Sequence, residues 1–399
     1  MRPLDHRTFA LSPTGRPPLR VYTSPGLAVP VRVELRRPAN MPLPDRRRWA
    51  ELTARAQPGN IFAQDWFMEP ALRHCGTQGS LRLAIVRQAS GAWLGVLPLT
   101  LARATAGHPV PTWQGWHAAD QFLGTPLVQA GAEKTFWQAL LAHLDQRPGL
   151  ALGFGCGTLP VADPITLALA TLCAEQGRKL HVTQCFTRRA RLPASRPDAK
   201  ALRKLDQRLD TLEARLTGEF GPVAMVLHDR DADCEPWLAA FQALERAGWK
   251  GRSALRPSRG GAARGSATAG LLRDVLRLGH RNGTVRLASL IAGEQIVAMT
   301  SWFIADGYGY GFKMAYDKAW RAHAPGRLLM RRVARSLDTE APLLFDTCTD
   351  PDAPGDPLWP DRRALGGFAV GIGGPTRRRV FDTLMAVDAR SAMGLAGCP

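Results

Sequence analysis

The sequence has no Cys-x-x-Cys pair, and its seven cysteines are an odd number. That usage argues against a disulfide scaffold and a zinc knuckle, and it points to a reducing compartment. Lysine is scarce: seven of the 52 basic residues are lysine and the rest are arginine. There is no lysine-rich tail, although the formal net charge is +18. Long apolar runs are missing as well. The richest stretch, residues 150–174, is broken by Gly155, Gly157, Pro160, Asp163 and Pro164. It falls short of the roughly 18–20 apolar residues that a membrane-spanning helix needs. Residues 1–30 carry no continuous apolar core of the kind found in a secretory signal. The expectation is a cytoplasmic protein, with peripheral contact at an inner membrane surface left open by its charge.

What is present suits a globular protein of two or three domains: 399 residues, 45% hydrophobic and 22% charged. The positive charge is spread along the chain, so it favours no single partner among nucleic acid, anionic lipid and a polyanionic co-substrate. Residues 1–45 are rich in proline and arginine and read as an irregular lead with one short strand at 31–35. Helices are expected at 45–56 and up to about His74. A hairpin follows, 81–86 with 93–101 around Gly91. Residues 133–144 and 165–176 read as helices, and 150–154 and 179–186 as strands. Residues 198–216 carry Leu202, Leu205, Leu209, Leu212 and Leu216 at spacings of three and four, an amphipathic helix packed on the body. Residues 256–270, rich in Gly, Ala, Ser and Arg, read as a mobile loop before a helix at 271–282.

A pattern then repeats. Val285-Arg286-Leu287-Ala288, a turn at Gly293 and a second strand match Leu81-Arg82-Leu83-Ala84, the turn at Gly91 and its partner strand. The sequels match too, with 124–128, a helix around Trp137 and 150–154 set against 311–315, a helix around Leu329 and 343–346. Two α/β halves of similar plan are expected from this duplication. The boundaries read as a 1–45 lead, a 46–195 half, a connecting helix at 196–220 and a 221–390 half that carries the chemistry.

The second half contains the densest motif. A strand bearing Lys313 leads through Tyr316-Asp317 to Ala324-Pro325-Gly326-Arg327, which opens a helix. A Pro-Gly helix start leaves unpaired N–H groups and a positive dipole end, where a phosphate can sit; it is also an ordinary way to start a helix. The first half has no Pro-Gly turn there. Lys313 is a candidate for orienting a phosphate or carboxylate, Tyr316 for an acid or hydrogen-bond donor, and Asp317 for a turn cap. Asp346, closing a buried strand, is either a base or an ion-pair partner of Arg362 or Arg363. Cys348 would share a strand face with Asp346 if that strand continued, with His323 the nearest histidine in sequence; a buried inert thiol is the plainer reading. Trp249 and Trp359 either line an acyl pocket or fill core. His117 and Asp120 are candidates to face the cleft between the halves.

Taken together, these stretches resemble the GNAT-type acyltransferases of the BioF2-like/CelD (cellulose-biosynthesis) group, relatives of the FemABX proteins. The resemblance rests on Phe62 with Trp66, Val96-Leu97-Pro98-Leu99, 122–128, Gly248-Trp249-Lys250-Gly251, Lys313-x-x-Tyr316-Asp317, Pro325-Gly326-x-Leu328-Leu329, Asp346-Thr347-Cys348 and Leu358-Trp359-x-x-Arg362-Arg363. It implies an α/β (α+β) fold of two tandem GNAT-like domains, mixed sheets flanked by helices. It implies acyl transfer from a thioester, acyl-CoA as co-substrate and no metal, to an amine or hydroxyl of a small-molecule, sugar or lipid acceptor. The co-substrate's pyrophosphate would map onto Pro325, Gly326, Arg327 and Leu328. The acceptor would map onto Trp249, Lys250, Trp359 and Arg362, with Lys313, Tyr316 and Asp346 as catalytic groups. Residues 321–326 do not keep the spacing of the superfamily's glycine-rich anion loop. The resemblance leaves two other readings: aminoacyl transfer from aminoacyl-tRNA, as in FemABX relatives, and a non-catalytic accessory role in exopolysaccharide or lipid synthesis. The missing helical arm disfavours nucleic acid as a partner.

Overall fold

The computed structural model describes residues 31–38, 41–76, 79–105, 109–247, 261–351 and 353–395. The first thirty residues of the expected lead lie outside this set, as do Gly248 to Gly251 with Trp249 and Lys250, and 256–260 of the expected loop.

The chain forms thirteen strands among these residues, all in one sheet. The first half contributes β1 (Val31–Arg36), β2 (Arg82–Gln88), β3 (Trp93–Ala102), β4 (Thr112–Gly115), β5 (Leu127–Val128), β6 (Gly153–Pro160) and β7 (Leu180–Arg191). The second contributes β8 (Val223–Leu227), β9 (Val285–Ala292), β10 (Gln295–Ala305), β11 (Tyr308–Tyr316), β12 (Leu344–Asp346) and β13 (Asp361–Gly371). Their order across the sheet is β1-β2-β3-β4-β6-β13-β7-β12-β11-β10-β9-β8, with β5 beside β3. Read from either edge, the order is the same plan. A three-strand antiparallel run meets a parallel pair, β4 with β6 or β11 with β12. The strand that completes each pair comes from the other half. β13 pairs with β6, β7 pairs with β12, and the two exchanged strands pair with each other in the middle.

The helices follow the same duplication. Between β1 and β2 lie α1 (Leu43–Thr53) and α2 (Asp65–Cys75); between β8 and β9 lie α6 (Glu235–Ala247) and α7 (Gly261–Arg281). On the other face, α3 (Glu133–Gln146) and α4 (Pro164–Glu175) cover the first half. There α5 (Ala199–Phe220) and α8 (Pro325–Glu340) cover the second, and α9 (Pro375–Leu395) ends the described chain. Three large cores result. One, holding Phe62, Phe67, Phe303, Tyr310 and Phe312, is shared by both halves beneath α1, α2, α6 and α7. The other two belong to one face of each half.

Local chemistry explains the main elements. Asp198 caps α5 by accepting from the Lys200 and Ala201 amides, and Leu209 and Leu216 of its stripe are buried. Each such leucine contributes about 1.5–3 kcal/mol. Arg331 of α8 is buried and donates to Asp210 at 2.7 Å and Glu213 at 2.8 Å on α5, locking the two helices. The expected loop at 256–270 is corrected from Gly261 onward, where the chain is already helical. Its alanines are strong helix formers, and its glycines let α2 approach. A Cβ at Gly270 would lie 2.6 Å from His74 Nδ1, and one at Gly279 would lie 3.0 Å from Trp66.

Candidate active site

The site begins where the parallel pair of the second half parts. β11 is registered with β12 only through Tyr308–Leu344, Gly309–Phe345 and Tyr310–Asp346. β12 ends there, while β11 runs on beside β10 to Tyr316. Register slips between Ser301 and Trp302 of β10, so Phe312 is a one-residue bulge between Gly311 and Lys313. A bulge twists the strand and re-aims the next side chain. The Lys313 ammonium, largely buried, reaches Asp120 Oδ1 at 2.5 Å.

Asp120 comes from the first half. It lies on an excursion, residues 116–126, that leaves the sheet after β4 and returns at β5. The Trp116 amide still bonds the Pro98 carbonyl of β3, and Leu127 rejoins opposite Val96. Asn60 Nδ2 ties the return down through the Thr125 and Pro126 carbonyls at 2.9 and 3.0 Å. Arg188 of β7 donates to the Phe122 carbonyl at 2.8 Å. Asp120 has a left-handed backbone, φ 64°, which asparagine and aspartate tolerate best among non-glycine residues. Its second oxygen, Oδ2, is buried without a protein partner. On the same excursion His117 has its Nε2 buried and unpaired, and burial with the nearby Arg188 charge lowers its pKa to about 4. Asp120 therefore does reach the junction between halves, whereas His117 lies beside Gly124, Gly157 and Arg188 of the first half.

Asp346 is fully buried and engaged on both oxygens. Oδ2 accepts from Arg363 of β13 at 3.3 Å, with Arg188 4.0 Å away, and Oδ1 accepts the Cys348 amide at 2.9 Å. Arg363 also donates to Tyr310 Oη at 3.2 Å, and that hydroxyl donates to the Gly59 carbonyl. The geometry favours the ion-pair reading of Asp346 over the base reading, because a base needs a free lone pair facing the acceptor. The strand does not continue to Cys348, which has φ 52° and starts a turn. Burial and the Asp346 charge push its thiol well above the usual range, and His323 is turned away onto Glu219 at 3.3 Å. Cys348 is an inert thiol.

The remaining expected residues are dispersed. Tyr316 ends β11 and packs with the core beneath α8, and Asp317 caps the next turn through the Ala319 amide at 2.9 Å. Trp359 is core, stacked on Phe345 at 5.2 Å. Arg362 is exposed and donates to Thr187 Oγ1 and the Ala353 carbonyl. Pro325 does open α8, behind Ala324 with φ 49°. Pro325 has no N–H, and the Arg327 and Leu328 amides both turn back to the Ala324 carbonyl, at 2.9 and 3.1 Å. Leu328 is wholly buried, and the Arg327 guanidinium is held by Asp356. That leaves the Gly326 amide of the first turn. A pyrophosphate needs several converging donors, so these four residues do not fit it. Arg363 was expected as one of two possible ion-pair partners of Asp346, and it is the one found; Arg188, also in the cluster, was missed and had no sequence signal.

The family described as "Acetyltransferase (GNAT) domain" matches residues 200–353. No curated protein matches the chain. Among solved structures, the C-terminal domain of a putative lysylphosphatidylglycerol synthetase from Agrobacterium fabrum superposes with a TM-score of 0.51 at 12% identity, over 87% of this chain and 96% of that one. FemX gives 0.49 at 10% identity over 81% and 95%. A tandem GNAT protein from the clavulanic acid biosynthesis pathway gives 0.41 at 16% identity over 86% and 99%. Residues 200–353 thus match the GNAT acetyltransferase-domain family, within a chain whose α/β sheet carries the same GNAT-like plan twice.

Proposed function

We propose that the chain is an N-acyltransferase-type enzyme whose reaction takes place where Asp120 of one half meets Lys313 of the other. The observation that carries this reading is the Asp120–Lys313 pair, with Asp120 Oδ2 buried and unpartnered beside it. Aminolysis needs a base for the attacking amine and positive charge for the developing oxyanion. Asp120 is the base, and Lys313 orients it and faces the oxyanion; Tyr316, packed beneath α8, is left out of this assignment. Asp346, with Arg363 and Arg188, positions the strands around them.

The donor is an acyl thioester such as acyl-CoA or the ester of an aminoacyl-tRNA. The poor fit of residues 325–328 to a pyrophosphate gives the second donor a specific argument. The acceptor is the amine or hydroxyl of a lipid, sugar or small metabolite; a lipid gains weight from the synthetase named above, whose printed name includes phosphatidylglycerol. Among the described residues no helix is long and apolar enough to cross a membrane. A lipid acceptor would therefore be met at a membrane surface, which suits the cytoplasmic, peripheral placement expected from the sequence. The BioF2-like/CelD grouping rests on the motif series alone.

Asp120→Asn and Lys313→Ala should each lower kcat by on the order of 10²-fold or more. Turnover is followed as thiol release from acyl-CoA and as deacylation of aminoacyl-tRNA, with folding checked by circular dichroism. Full activity of both variants with whichever donor the wild type uses would sink the site assignment.

A further inference from the structure

A second cleft lies in the first half, apart from every residue used above. It has a volume of about 510 Å³ between the start of α1, the end of α2 and the start of β2. Among the described residues its lining carries Arg37, Arg46, Arg73 and Arg82, against a single acid, Glu69. Its floor is apolar, with Leu72 and Leu81 buried and Met41 half-buried. The volume falls within the few hundred to roughly 1,000 Å³ typical of small-molecule sites.

Neighbouring acids do not use up these arginines. Arg46 sits 3.7 Å from Glu69, too long for a good hydrogen bond. Arg82 donates to the Gly79 and Leu81 carbonyls at 2.9 and 2.8 Å, which fixes its position without neutralising it. Arg73 is half-exposed and donates to Asp274 at 3.2 Å through Nη1, so its fork is partly engaged. Guanidinium groups bind phosphate oxygens in a bidentate fork, so several lining one cleft suit a phosphate-type dianion. Glu69 is then the internal competitor; burial raises its pKa, and the charges of Arg46 and Arg73 oppose that rise.

We propose that this cleft binds a phosphate-bearing ligand, its phosphate held by Arg37, Arg46, Arg73 and Arg82 and its apolar part laid on Met41, Leu72 and Leu81. The phosphate comes from a lipid headgroup or from a soluble phosphate ester; the recognition chemistry is shared.

The test uses the full chain at physiological salt with two probes. Glycerol phosphate is titrated calorimetrically, and vesicles of phosphatidylcholine with or without phosphatidylglycerol are used for co-sedimentation. The variants are Arg37→Gln with Arg46→Gln, both exposed side chains, and a charge-matched control, Arg203→Gln with Arg379→Gln, on α5 and α9. Binding of glycerol phosphate that weakens at least tenfold in the cleft variant and not in the control supports a soluble ester. Binding confined to phosphatidylglycerol vesicles, with the same contrast between variants, supports a lipid headgroup. Glu69→Gln should tighten whichever binding is seen several-fold. Equal binding by the cleft variant and the control, no binding of either probe, or no effect of Glu69→Gln overturns the proposal. Circular dichroism and thermal unfolding confirm that each variant is folded.

Discussion

The two halves part their parallel strands at the same place and then do different things with the gap. In the first, β4 and β6 pair through Thr112, Trp113 and Gln114; in the second, β11 and β12 pair through Tyr308, Gly309 and Tyr310. A glycine and an aromatic residue come next in both, Gly115-Trp116 and Gly311-Phe312. In the second half Phe312 is a one-residue bulge and the strand goes on. In the first half the chain departs at Trp116 and returns at Leu127. The departing loop then fills its own gap. The Gly124 amide bonds the Thr158 carbonyl at 3.2 Å, and the Cys156 thiol donates to the Gly124 carbonyl at 3.3 Å. The counterpart of Asp346 is Gly155, and Gln114, which takes the place of Tyr310, lies over it. Duplication supplied two equivalent crevices. One has been plugged by its own chain, and the plug delivers Asp120 to the other.

The largest test of that asymmetry removes the carboxylate that only the second half has. Asp346→Ala leaves buried Arg363 with Asp163, 3.7 Å away, as its remaining acid, and stability measured by chemical denaturation should fall by up to about 3–5 kcal/mol. Replacing both partners, Asp346→Leu with Arg363→Met, should recover most of that loss. A loss of activity with unchanged stability would instead return Asp346 to the role of base.

A smaller effect belongs to the plug. His117 is held near pKa 4 against 6.5 for a free imidazole. Protons bind the unfolded chain more readily, so this contribution is whole above about pH 6.5 and is lost as pH falls toward 4. Its full size is on the order of 3 kcal/mol. His117→Asn should flatten the stability profile between those limits, compared with wild type by denaturation at a series of pH values; an unchanged slope would show that the imidazole is solvated.

The smallest contrast is between two glycines. At Gly124 a Cβ would fall 1.8 Å from His117 Nε2 and 2.1 Å from the Gly157 carbonyl, whereas at Gly326 the nearest atoms are 3.5 Å away. Gly124→Ala should cost about 1–3 kcal/mol and displace Asp120. Gly326→Ala should change the melting temperature little, since alanine favours a helix. A large loss of donor affinity in Gly326→Ala would reinstate the helix start as a phosphate site.

The sequence displayed the parts whose signal is local. The leucine stripe of α5, the paired hairpins and the strand of Lys313 were all readable, because each is a periodicity over a few residues. It offered His117 and Asp120 as candidates for the cleft without any geometry, and Asp120 reaches it. Its strand-for-strand match was off in one respect: residues 124–128 were set against 311–315, but β11 is matched by β4 and β5 together, interrupted by the excursion. β13 went unread. Its Asp-Arg-Arg-Ala-Leu-Gly-Gly-Phe-Ala-Val-Gly has no alternation, since most of it is buried in mid-sheet. Its partners β6 and β7 lie about two hundred residues earlier, a separation that no local pattern reports. Arg188 was hidden for another reason: in a chain so rich in arginine, one more gives no contrast, whereas Arg363 stood out only as a possible partner of Asp346.

The exchange of β7 and β13 also bears on how the chain is made. While the ribosome is still short of residue 361, β6 faces an empty lane, and β7 has only β12 to pair with. The first half, though synthesised first, cannot close its sheet until residues 361–371 emerge. Folding by separate halves in order of synthesis, the usual route for tandem domains, is thus denied to this molecule. Its last strand acts as the bolt for its first half, and translation stalled before that strand would leave a sheet with an open edge where the centre should be.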